Sequence, residues 1–154
     1  MKRTFLLLFT FVLFLFFLTG CEKTLTTDLP TIMQDINFSE DYIDMKIIED
    51  VSELETYYLI NPAYVKSFAV EISKEESDFT EIILVEAVDI DKANEISSLL
   101  DNYYRTKLDM AQTYEDEFAK LLQKCSVKQN GVYVSLIICD NVNEVEKIYN
   151  SYFE

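Results

Sequence analysis

Leu18-Thr19-Gly20-Cys21 is a stretch whose residue types and spacing specify a covalent reaction. The Cys21 thiol suits acceptance of a diacylglyceryl group as a thioether, and Gly20 lets a peptidase approach the backbone closely and cut ahead of the cysteine. Lys2 and Arg3 precede an apolar run over residues 5–18 broken only by Thr10, the charged-then-apolar layout of an export signal. That run is shorter than the ~20 residues a bilayer-spanning helix needs. The sequence therefore predicts a signal peptide over residues 1–20, a lipobox of Leu18, Thr19, Gly20 and Cys21, and lipidation at Cys21. A single acyl chain holds a protein weakly, so two or more are expected to fix it to the extracytoplasmic face of the cell membrane.

Beyond that motif the chain is poor in chemistry. It has no histidine, which excludes imidazole general bases, His-containing triads and His-ligated zinc or haem. A net charge of −15 without a basic cluster argues against a nucleic-acid partner. Of two glycines, Gly20 falls in the leader and Gly131 stands alone, so glycine-rich phosphate loops are excluded. A two-residue loop at Asn130-Gly131 would set Cys125 opposite Leu136, roughly 10 Å of strand short of Cys139. Bridged Cα atoms lie within about 7 Å, so buried free thiols are expected.

Asp89-Ile90-Asp91 with Asn94 and Glu95 gathers hard oxygen ligands, yet a calcium loop would need glycine where Asn94 stands and glutamate where Leu100 stands. Helix-capping aspartates are the expected role, with no metal and no cofactor. Paired carboxylates for an envelope hydrolase would need a cleft that a small Trp-free domain has little room for. A small carboxylate-dependent hydrolase and a calcium-responsive structural module stay as alternatives. No catalytic residue is assigned, and the leading expectation is a non-enzymatic module that binds an envelope protein or small ligand.

Tyrosine is the remaining chemical surplus: there are ten, with no tryptophan. A tyrosine offers a rigid apolar face and a wet hydroxyl, the pairing favoured at recognition surfaces. A small domain short of Phe and without Trp also uses Tyr at its core rim, but neighbours in the adjacent pairs Tyr57-Tyr58 and Tyr103-Tyr104 must point different ways, so at least some of these four candidate binding tyrosines are expected to be exposed.

The elements that must position these residues follow from the periods of the chain. Residues 21–41 are Thr-rich and acidic and read as a flexible tether, spanning roughly 25 Å as a coil. A single α+β domain is expected over residues 42–154. Ile43, Met45 and Ile47 alternate as a short edge strand, and Ser52 opens a helix over residues 53–58 with Glu55 completing a capping box. Asn61-Pro62 restarts the chain as a single turn. Phe68 to Ile72 and Thr80 to Val88 form an antiparallel hairpin across a charged loop. Asp89 or Asp91 caps a long helix with Ala93, Ile96, Leu100, Tyr103, Leu108 and Ala111 on its stripe, and a second helical segment runs from Tyr114 to Lys124 after a bend near Gln112. Asn130-Gly131 codes a type I′ hairpin, and Asn141 opens the last helix. One mainly antiparallel sheet of about four strands, two hairpins covered on one face by the long and C-terminal helices, is the economical packing.

Glu53-Leu54-Glu55-Thr56-Tyr57-Tyr58-Leu59-Ile60-Asn61-Pro62, Glu81-Ile82-Ile83-Leu84-Val85, Tyr114 and Gly131-Val132-Tyr133-Val134 resemble domain of unknown function 4358, a family found in lipoproteins of Firmicutes. The resemblance covers about residues 45–140. The chain departs from it at Leu59, where the family usually has glycine, at Glu86, where lysine is common, and at Glu115-Asp116, in place of a Leu-Pro pair. It implies a lipid-anchored α+β domain with no established activity.

Overall fold

A computed structural model describes residues 24–40, 42, 44–75, 79–114 and 116–154. The predicted signal peptide, the lipobox with Cys21, Ile43 and the tip of the charged loop lie outside the described residues.

The first helix, α1 (Leu29–Glu40), occupies the stretch expected to be a tether. Asp28 caps it, its Oδ1 accepting from the Thr31 amide at 2.9 Å. Pro30 falls in the first turn, where a missing N–H costs nothing. Leu29, Ile32, Met33 and Ile36 recur at one-face spacing and all four are buried, which is why the segment folds onto the domain instead of swinging free. Even the residues before it are held: Leu25 bridges Phe153, Thr26 N donates to Tyr152 O at 2.9 Å, and Glu154 N donates to Thr24 O at 3.1 Å.

Five strands form one antiparallel sheet: β1 (Met45–Ile48), β2 (Val65–Ser73), β3 (Glu81–Ala87), β4 (Val127–Asn130) and β5 (Tyr133–Ile138), in the spatial order β1-β2-β3-β5-β4. The expected edge strand is present, but its inward residue is Ile48 while Ile47 stays exposed. The predicted hairpin pairs Phe68 with Val85 and Val70 with Ile83.

Helices cover both faces, not one. α2 (Val51–Tyr58), α3 (Ile90–Tyr114) and α4 (Asp116–Leu122) lie on one side, and α1 and α5 (Val142–Asn150) on the other. The reason is written in β3, where Ile82 and Leu84 face one way, Ile83 and Val85 the other, and all four are fully buried. A strand apolar at both parities needs cover on both faces.

Local differences have similar causes. The cap of α2 is Asp50, accepting from the Ser52 amide, so this helix starts earlier than expected. Asn61 and Asp89 cap as expected, accepting from the amides of Ala63 and Lys92. Helix α3 continues through Gln112, where a bend was expected, as far as Tyr114, and α4 is described from Asp116. Asn130 pairs with Tyr133, so the hairpin loop is Gly131-Val132. Only Gly131 of the two has positive φ, at 59°, the Gly-first pattern of a II′ turn instead of I′. Asn141 makes no side-chain cap; it accepts from the Tyr42 hydroxyl and donates to Glu40, tying α5 to the end of α1.

Candidate functional site

Glu81 opens β3, on the face toward α2 and α3, and is only 1% exposed. A carboxylate this deep is tolerated when donors surround it. Tyr58, the last residue of α2, donates to Oε1 at 2.8 Å, and Tyr103 of α3 donates to Oε1 at 2.9 Å. Lys107, one turn along α3 from Tyr103, donates to Oε2 at 2.5 Å. The same ammonium lies 5.1 Å from the centre of the Tyr103 ring, and the Tyr58 and Tyr103 rings meet edge-to-face at 5.0 Å.

Electrostatics fix the roles. Burial first, and then the Glu81 charge, push both tyrosine hydroxyls well above the ordinary phenol range. They stay protonated and act as donors, not as nucleophiles or bases. The group is a carboxylate held by two phenols and an ammonium, its polar atoms spent on one another.

Beside this cluster lies a cleft of about 240 Å³ walled by Tyr57, Tyr58, Leu59, Leu99 and Tyr103, with Asn102 and Thr106 from α3. Leu59 forms its lip. It ends α2 in the left-handed region with φ 60°, its amide returning to the carbonyls of Leu54 and Glu55. That conformation is the ordinary place for glycine, which accounts for the glycine expected there from the family resemblance.

The structure brings together three of the four predicted tyrosines. Tyr57 is 41% exposed at the cleft, its hydroxyl accepting from Lys46 Nζ at 2.8 Å. Tyr58 is buried at 2%, which corrects the expectation of exposure: a polar partner inside, Glu81, lets its hydroxyl leave water. Tyr103 is half-buried for the same reason. Tyr104 is half-buried elsewhere, donating to the Leu122 carbonyl at 3.0 Å and closing α3 against α4. Glu81 and Lys107 were not foreseen, although a glutamate heading the apolar run Ile82 to Val85 was a usable signal.

Cys125 and Cys139 are both free and buried. Burial raises both thiols, Cys139 to about 11, so neither is a ready thiolate. Among the described residues no three Cys, Asp or Glu side chains are grouped to hold a metal.

A family profile described as a domain of unknown function (DUF4358) matches residues 39–139. No curated protein and no solved structure matches the chain. The matched span takes in the whole sheet with α2, α3 and α4, whereas α5 and nearly all of α1 lie outside it.

Proposed function

The chain belongs to the DUF4358 family, and on that premise we propose a lipid-anchored, non-catalytic binding module at the extracytoplasmic face of a bacterial membrane. The anchor is Cys21 in the lipobox Leu18-Thr19-Gly20-Cys21. The observation that carries the reading is the hold on Thr24, whose carbonyl accepts from the Glu154 amide at 3.1 Å. Just Glu22 and Lys23 separate it from Cys21, a reach of at most about 10 Å. Acyl chains on Cys21 thus keep the domain close against the bilayer, in place of the long stalk expected from the sequence. What the domain offers there is the recess of Tyr57, Leu59, Leu99 and Tyr103, apolar walls over a cluster whose charged groups already hold one another. Such a surface suits recognition better than proton transfer.

Membrane fractionation of cells fed a labelled fatty acid tests the anchor. The full chain should carry label and sediment with membranes, and Cys21→Ala should lose the label and leave the membrane fraction. Label or membrane association retained by Cys21→Ala would overturn the assignment.

A further inference from the structure

A second recess lies on the opposite face of the sheet, between α1 and the edge formed by β1 and β2. Its volume is about 450 Å³, within the ordinary range of small-molecule sites. Pro30, Met33 and Ile47 supply apolar wall. Ile47 is 58% exposed on an edge strand, a position where proteins more often place a charge.

The polar groups at its floor are incomplete. Glu71 is 6% exposed and lines the recess. Its Oε2 accepts from Asn37 Nδ2 at 2.8 Å, and no cation pairs with it among the described residues. Asn37 Oδ1 is buried and accepts no hydrogen bond. The other polar residues of the lining are Gln34 and Glu49, so among the described residues no lysine or arginine borders the space. Burial pushes the Glu71 carboxyl above its usual range, as a carboxylate short of donors should behave. A buried acceptor left without a donor is unfavourable, more so when charged, and a group that supplied the missing donors would relieve it.

We propose that this recess binds a small amphiphilic amine, its ammonium donating to Glu71 and to Asn37 Oδ1 while its apolar body lies against Pro30, Met33 and Ile47. An ammonium carries three donors and a positive charge, so one group can satisfy both acceptors. An alcohol brings one donor and no charge. A carboxylate would set like charge against Glu71 and Glu49. The proposal does not depend on Cys21 being acylated, since every residue in it belongs to the folded domain.

Calorimetric titration of the full chain in detergent, with benzylamine, benzyl alcohol and benzoate as probes, tests it. Benzylamine should bind at least about tenfold more tightly than the alcohol, and benzoate should not bind measurably. Glu71→Gln should weaken benzylamine by about tenfold or more while leaving the alcohol unchanged. Gln34→Trp, at an exposed position on the rim, should block both without touching the floor, and it serves if Glu71→Gln fails to fold. Equal affinity for amine and alcohol, no amine binding at roughly 10 mM, or amine binding undiminished in both variants would overturn the proposal.

Discussion

Glu71 and Glu81 lie on neighbouring strands, nearly side by side, yet face opposite layers and meet opposite treatment. In the β2–β3 ladder Glu71 pairs with Ile82, the residue after Glu81, so the two carboxylates leave the sheet through different faces. Glu81 meets two phenols and an ammonium; Glu71 meets one amide. The partners of Glu81 fall inside the span matched by the family profile, whereas Asn37 falls before it. A buried acid with its donors complete acts as a joint between α2, α3 and the sheet. One with donors missing has spare capacity for something from outside.

The largest effect that could break this contrast is removal of the ammonium. Lys107→Met would leave the buried Glu81 with only the two phenols as partners, and should cost about 3 kcal/mol in chemical denaturation. A loss under about 1 kcal/mol would mean that the ion pair contributes no more than a surface pair does.

Glu71 should show the reverse sign. Because burial raises its carboxyl in the folded state, stability is full below the ordinary carboxylate range and falls as pH rises through the raised value. Glu71→Gln should flatten that part of the pH–stability curve and gain on the order of 1 kcal/mol at neutral pH. A parallel curve for the variant would show that Glu71 carries no such strain.

The smallest effect sits at the lip of the tyrosine cleft. Leu59 holds φ 60°, which costs a side-chain-bearing residue roughly 1–2 kcal/mol, while glycine loses about 0.5–1 kcal/mol in the unfolded chain. Leu59→Gly should therefore raise stability by less than about 1 kcal/mol, seen as a small rise in melting temperature. A drop would show that the exposed leucine contributes packing to the cleft worth more than its backbone strain.

The same contrast shows what the residues disclose on their own. The β2–β3 and β4–β5 hairpins and the long helix α3 are legible because two apolar runs across a charged loop, an Asn-Gly pair and a capping aspartate mark them locally, although the β4–β5 loop falls one residue later, at Gly131-Val132. Two-sided cover of the sheet was also legible in principle, in the unbroken run Ile82 to Val85. Helix α1 hides behind threonines and acids, although Asp28, Pro30 and the spacing of Leu29, Ile32, Met33 and Ile36 mark it. The tyrosine cluster was half-visible: the tyrosines stand out, but their convergence on Glu81 depends on which face of β3 meets α3. Asn37 and Glu71 are invisible as a pair, since nothing local joins a helix residue to a strand residue so distant in sequence.

The pairing of residues 24–26 with residues 152–154 also decides how the domain answers to force. Under the proposed anchor at Cys21, tension arriving from the N-terminal side enters at Thr24, on a two-bond zipper. A pull across that zipper peels its bonds in turn, and a pull along it shears them together. Until they part, the load passes through Tyr152 into α5 and bypasses α1. The clasp between residues 24–26 and 152–154 therefore meets such a load ahead of the sheet and its two buried glutamates.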